Sequence, residues 1–416
     1  MRNYKLLLAF VLVFTVLLPI SAFAQDATPE ATPIMGQDMM ASCAAPTGLP
    51  ATINLGAIFA LSGAASVYGL SQQQAVNLAV QQVNDWHYLG DSTTLAVQFE
   101  DSAGDAKQAI NAMTKLTGDA SIVAVEGPTL SSEAVAADPV AQDAGVPVLG
   151  VSNTASDLRK TLGDFYHRDS LPEAVVIPGT IKQATELLGL KNVGLLYGND
   201  DDFTISGYDV FKQALADNSV NVLGEETFAK GDTDFNAQLT SLIGKNPDAL
   251  VVSALAAEAV QIINQARQQG YKGPIIGGNG FNSPAVLKQA GDNAEGLIVG
   301  GAWNAGNPNP SDSSKDFAAA FETANGHAPD QFAAQAYTGL WLLATAIRCG
   351  NSVDHAAVNT ALGSIKDFET PLGSFSFDSN GEPVHQPIAQ IVQGGKFVPL
   401  AVAMQMMATP EATASS

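Results

Sequence analysis

Apolar positions along residues 50–400 follow two alternating periods. Short apolar runs at 53–59, 95–99, 122–125 and 146–151 have the length of buried strands. Between them, apolar residues fall three or four apart. Ala75, Leu78, Ala79, Val83 and Trp86 share one face of a helix predicted over 71–86. Ala106, Ala109, Ile110, Met113 and Leu116 share a face over 105–116, and a third helix is predicted over 131–142. The order βαβαβαβ implies a parallel sheet covered by helices on both faces.

The pattern then restarts. Helices are predicted over 172–188, 207–216, 234–243, 258–268 and 284–290. Strands alternate with them at 193–197, 222–228, 249–253, 275–277 and 297–300, which makes a second parallel sheet. The last hundred residues add helices at 315–324, 331–348 and 354–363. Strands near 373–377, 388–392 and 396–400 follow, with turn signals at Asn380-Gly381 and Gly394-Gly395. They read as edge additions and not as a third domain.

The ends differ from this pattern. Arg2 and Lys5 precede an apolar run from 6 to 20, and Ala22-Phe23-Ala24 forms a small-x-small cleavage site. Residues 1–24 therefore read as a signal peptide and imply an extracytoplasmic location, periplasmic or at the cell surface. Residues 25–50 read as a disordered linker and 404–416 as a disordered tail. Both are rich in Ala, Thr, Pro and Glu. Met35, Met39 and Met40 in the linker and Met404, Met406 and Met407 near the tail are read as linker composition rather than a soft-metal site. Export makes a disulfide between Cys43 and Cys349 chemically accessible, with free thiols or a link to another chain as alternatives. Met40-Ala41-Ser42-Cys43 resembles a lipoprotein box, but it lies too far from the apolar run to serve as one.

The formal charge is −22, with 41 acidic residues against 19 Lys and Arg. Such a surface has no basic stripe to replace counterions, which argues against nucleic acid and anionic lipid as partners. The length suits two domains.

Enzyme signatures are missing. Gly277-Gly278-Asn279-Gly280 lacks the third glycine of a dinucleotide loop, and no P-loop is present. Around Ser152 the sequence is Gly150-Val151-Ser152-Asn153-Thr154, which is not a nucleophile elbow. The five histidines have no ligand spacing, and Asp200-Asp201-Asp202 reads as a solvated turn. No catalytic residue, metal or cofactor is expected. What remains is a set of polar loops at the C-terminal ends of parallel strands, where ligands bind in doubly wound sheets. These are 61–69, 126–132, 152–156 and 199–204.

Five segments in order carry a resemblance. They are L-S-G-x-x-x-x-Y-G (61–69), G-P-x-x-S (127–131), D-D-F-T-x-S-G-Y (201–208), A-G-D-x-A-E-G (290–296) and A-Y-x-x-x-x-L-L (336–343). The chain resembles the branched-chain amino acid and amide binding proteins of ABC transporters, the leucine/isoleucine/valine-binding protein-like family. The likeness runs from about 53 to 400. It implies two doubly wound parallel-sheet lobes joined by a three-crossing hinge, the type I periplasmic-binding protein fold. Lobe one maps to 51–168 plus 302–378, and lobe two to 169–301 plus 379–403. A small polar solute sits between them and closure buries it. The resemblance implies a monomer that hands its solute to the permease subunits of an ABC importer.

By the same resemblance, Ser131, the backbone of Asn153, and Thr154 hold a solute carboxylate. Short hydroxyls and free amides suit an anion. Ser131 and Thr154 also read as plain helix N-caps, which is compatible with a ligand above them. Tyr68, Phe203 and Phe332 match aromatic walls. Two positions depart from the family. Leu255 replaces an aromatic, and Asn279 stands where amino acid binders carry an acid against the ammonium. An unpaired buried ammonium is costly. Three explanations stand open: an amide, keto or hydroxy acid ligand; substitution by Asp201, Asp202 or Glu258; or a shifted register. A ligand-sensing receptor domain of the same fold is the alternative function, and an α/β enzyme is a more distant one.

Overall fold

Strands that are apolar at every position need cover on both faces, and the chain supplies that cover twice. The computed structural model describes residues 43–408. The signal peptide, residues 25–42 of the linker with their methionines, and the tail beyond 408 lie outside the described residues. The first sheet contains β1 (Thr52–Phe59), β2 (Thr94–Asp101), β3 (Ile122–Glu126), β4 (Val148–Gly150) and β5 (Tyr166–Arg168). They run parallel in the order β2-β1-β3-β4-β5.

One face of this sheet packs on the helices Ser66–Asp85 and Gln331–Gly350 around the buried Trp341 and Tyr337. The other packs on Ala106–Thr117 and Ser131–Ala144 through Met113, Leu116 and Ala137. The helix Gln331–Gly350 is buried along nearly its whole length, so it belongs to the interior of the fold.

The second sheet contains β6 (Asn192–Gly198), β7 (Asn221–Phe228), β8 (Ala249–Ser253), β9 (Ile275–Gly277) and β10 (Ile298–Gly301), all parallel. Strands β11 (Phe368–Thr370), β12 (Gly373–Phe377) and β13 (Pro383–Val384) form a small antiparallel sheet of their own. Strands β14 (Ile388–Gln393) and β15 (Lys396–Pro399) extend the second sheet antiparallel from β10, in the order β15-β14-β10-β9-β8-β6-β7. The chain passes between the two halves three times: after β5, after β10, and between β13 and β14.

Several sequence expectations shift. The first helix begins at Ser66 rather than 71, so Tyr68 lies in its first turn and not in a loop. Strand β5 and the short helix Leu158–Leu162 were not expected, being too brief to show a period. Of the three late strands, two are edge additions, but 373–377 pairs with β11 and β13 instead. Residues 379–384, assigned to lobe two, stay with lobe one because β13 pairs with β12. Residues 404–408, assigned to the disordered tail, continue the helix Leu400–Ala408. The linker's end is tied down as well. Cys43 is bonded to Cys349, and the Thr47 amide donates to Asn351 Oδ1 at 2.8 Å.

Lobe one and the crossing that leaves it bury acids with no hydrogen-bond partner among the described residues. Glu126 ends β3 against Gly339, and neither of its oxygens has a hydrogen-bond partner among the described residues. Burial, then the nearby Asp169, push its carboxyl well above the usual range. Burial does the same to Asp138 and Asp169. In the unfolded chain such a group ionises in the ordinary range. In the fold it keeps its proton, so the native state binds more protons and loses stability as pH rises between the two values. Buried His167 and His385, pulled down to about 4, act oppositely below their unfolded value of about 6.5. Glu126→Gln should therefore stabilise the fold, and more at pH 8 than at pH 5. The gain should not exceed about 1.4 kcal/mol per pH unit. Urea unfolding midpoints at the two pH values check this; an equal or smaller gain at pH 8 would contradict it.

Candidate functional site

The C-terminal ends of both parallel sheets carry loops that meet in one cleft. Hydrogen bonds among buried side chains fix those of lobe one. Gln72 donates to Ser152 Oγ at 2.8 Å and accepts from Thr129 Oγ1 at 2.7 Å. Ser152 Oγ donates to the Thr129 carbonyl at 2.6 Å, and Thr129 Oγ1 accepts from the Ala60 amide at 3.0 Å. Three strand-end loops are thus locked together. Such a network rigidifies a site only because every member is satisfied. Gly127 permits the close approach: φ is +100°, and a Cβ would lie 2.2 Å from the Ile58 carbonyl.

Ser131 opens the helix Ser131–Ala144, whose N-cap is Leu130. The Leu130 amide donates to Glu133 Oε2 at 2.8 Å, so Ser131 is not itself the cap. Its hydroxyl accepts from the Ala155 amide at 3.2 Å and keeps a proton to donate. Thr154 caps no helix either; its buried hydroxyl finds no partner among the described residues. The buried Asn153 side chain donates to the Pro128 carbonyl at 2.9 Å, away from any ligand role.

Arg168 sets the backbone of that loop. Its guanidinium donates to the carbonyls of Asn153 (3.0 Å) and Ala155 (2.7 Å), and Ser170 Oγ also donates to Asn153 O at 3.0 Å. The Thr154 amide is on the opposite edge of the Asn153–Thr154 peptide and so points away from Arg168. The other edge of the guanidinium makes a bidentate pair with Glu382, at 2.8 and 2.9 Å.

Tyr68 spans the cleft. Its hydroxyl donates to the Gly280 carbonyl at 2.6 Å and accepts from the Ala256 amide at 2.7 Å, both in lobe two. Burial raises its pKa, so the phenol stays protonated and can donate. The ring packs on Phe332 with centroids 4.5 Å apart. Ser206 Oγ accepts from the Ser156 amide at 2.8 Å, a further bond between the lobes.

Tyr68, Ser131, Phe203, Leu255, Asn279 and Phe332 line one cavity of about 20 Å³ with Thr129 and Ser152. Thr154 and Asn279 line an adjacent cavity of about 10 Å³, together with Glu173, Gln331 and Gln335. Either holds about one water. A larger solute therefore enters only when the lobes part or Tyr68 swings aside.

Asn279 has a fixed polarity. The Ala302 amide can only donate, and it donates to Gln331 Oε1, which also accepts from Asn282 Nδ2 at 2.7 Å. Gln331 Nε2 must then donate, and it does so to Asn279 Oδ1 at 2.6 Å. Asn279 is left with its NH₂ group, a donor.

Sequence reasoning missed Gln72, Thr129, Ser152, Gln331 and Glu173. Thr129 and Ser152 were inside the loops singled out, but Gln72 bridges their side chains and no spacing rule reveals that. Cys43 and Cys349 join at the far end of the helix Gln331–Gly350 and take no part in the cleft.

Tyr68→Phe keeps the ring and removes the two bonds that the Tyr68 hydroxyl makes to lobe two. It should weaken the closed arrangement by about 1–3 kcal/mol. Solution X-ray scattering without ligand should then show a larger radius of gyration for the variant. An unchanged radius would contradict the latch role.

Residues 52–396 match the family model described as periplasmic binding protein. The Leu/Ile/Val-binding protein BraC3 of Rhizobium johnstonii is 28% identical over 347 residues, 81% of this chain and 90% of that protein. The Leu/Ile/Val-binding protein homolog 3 of Brucella melitensis is 26% identical over 338 residues, 80% of this chain and 89% of that protein. Among solved structures, the branched-chain amino acid transporter substrate binding protein LivJ of Streptococcus pneumoniae, in complex with isoleucine, superposes with a TM-score of 0.77. It is 30% identical and covers 83% of this chain and 97% of its own. The two three-crossing lobes, the loops gathered at their strand ends and the family match across both lobes agree: this chain belongs to the periplasmic binding protein family.

Proposed function

We propose that this protein captures a small carboxylate-bearing solute between its lobes and delivers it to an ABC importer outside the cytoplasm, without chemical turnover. The observation that carries the reading is the loop 152–156. Its Asn153 and Ala155 carbonyls are tied to Arg168, while the Thr154 hydroxyl is buried without a partner. An anion supplies the acceptor that this hydroxyl and the Ser131 hydroxyl lack, in charge-assisted bonds. Tyr68, Phe203, Leu255 and Phe332 wall the solute, and Asn279 donates to it from lobe two. The lobes 51–168 with 302–384 and 169–301 with 385–403 move as units about the three crossings.

BraC3 is a Leu/Ile/Val-binding protein and LivJ holds isoleucine, which makes branched-chain amino acids the first solutes to try. The acidic surface fits a receptor whose partners are a small molecule and the permease subunits, and the chain acts as a monomer. No helix of the described residues is long and apolar enough to cross a membrane.

A thermal-shift panel of branched-chain and polar amino acids, amides, keto acids and hydroxy acids tests this on the chain from Gln25 onward. A true solute at 100 times its Kd should add about 2.7 kcal/mol. Thr154→Ala should weaken its binding by about 10- to 100-fold. A panel without any shift, or a shift untouched by Thr154→Ala and Ser131→Ala together, would contradict the assigned site.

A further inference from the structure

The cleft has a carboxylate that the sequence comparison did not single out. Glu173 opens the helix Glu173–Leu188 just past the first crossing, and its amide donates to the Thr154 carbonyl at 2.8 Å. Its side chain is 1% exposed and lines the same cavity as Thr154 and Asn279. Neither oxygen has a hydrogen-bond partner of good geometry among the described residues. The Asn279 backbone amide is close enough only to temper the effect of burial. Two glycines make room for the carboxylate. A Cβ on Gly278 would sit 3.2 Å from Oε1, and one on Gly207 would sit 2.9 Å from Oε2. No cation faces it.

The other acids of this region have a cation close by or lie elsewhere. Asp201 caps the helix Asp202–Asp217 through the Phe203 and Thr204 amides and pairs with Lys230 at 3.5 Å. Glu258 Oε1 accepts from the Gly231 amide at 2.8 Å; its Oε2 has no hydrogen-bond partner among the described residues, but Lys230 acts on the carboxylate as a nearby positive charge. Asp202 lines a separate outer groove with Asp209 and Asp217. Asn279 presents a donor, which is the wrong polarity for an ammonium.

We propose that Glu173 is the counter-ion for a cationic group on the solute, so that the cleft takes an α-amino acid despite Asn279. The inference rests on the binding reading above and names the ligand class of that same site. The carboxylate of the amino acid lies toward Ser131 and Thr154, and its ammonium turns toward Glu173. A buried carboxylate without a cation is unfavourable, and an ammonium brought by the ligand is the compensating charge. The same geometry disfavours the matching hydroxy acid, which leaves Glu173 unpaired.

The test compares matched ligands by isothermal titration. The amino acid giving the largest thermal shift is paired with the hydroxy acid of the same side chain. The native chain should bind the amino acid at least about 100-fold more tightly. Glu173→Gln should abolish that preference, mostly by weakening the amino acid. Glu258→Gln should leave the preference within about threefold. Glu173→Asp covers the case in which the glutamine variant does not fold, and it should keep the sign of the preference. Equal loss for both ligands in Glu173→Gln, or loss of the preference in Glu258→Gln instead, overturns the assignment. Native binding of hydroxy acids but not amino acids overturns it while leaving the cleft reading intact. No binding from either class removes both.

Discussion

One buried guanidinium ties the hinge to the binding loop. Arg168 stands at the end of β5, where the chain first leaves lobe one, and is 1% exposed. One of its edges holds the Asn153 and Ala155 carbonyls; the other holds Glu382, just before the last crossing. A buried charge persists only where such partners satisfy it. His385 adds to the same joint by bonding the Asp169 carbonyl at 2.9 Å. The orientation of the Asn153–Thr154 peptide therefore depends on the same contact that positions two of the three crossings. Motion at the hinge and geometry at the site are mechanically linked through a few side chains.

A second polar chain runs from the cleft into the hinge. Asn279 accepts from Gln331, Gln331 accepts from Asn282, Asn282 accepts from Gln390, and Gln390 accepts from Asn304. These amides join the cleft wall of lobe two to the second and third crossings. Their donor and acceptor ends are set by one backbone amide, that of Ala302. A fixed polarity of this kind selects ligand groups by hydrogen bonding, and leaving buried groups unpaired is the main source of discrimination.

Much of this was legible in the sequence. The alternation of apolar runs and helical faces specified both sheets, because buried strands such as β3 and β8 are apolar up to their last residue and few other structures want that pattern. Six of the eight singled-out cleft residues line one cavity, since strand-end loops converge by topology alone. The rest required coordinates. Strands of three residues, such as β5, are too short for a period. Glu173 falls at the start of the helix predicted over 172–188 and no motif marks it, although the Thr154 carbonyl draws its backbone into the cleft. Gln72 and Gln331 are ordinary helix residues until the partners that bury them are known.

Closure on a carboxylate at Ser131 and Thr154 is the central claim, and a crystal structure of the chain from Gln25 onward with its best thermal-shift ligand tests it most directly. The account predicts the solute between the lobes, its carboxylate within hydrogen-bond distance of the Ser131 and Thr154 hydroxyls, and Tyr68 against it. A ligand bound in the outer groove beside Asp202 and Asp209, or one in the cleft that touches neither Ser131 nor Thr154, would contradict it.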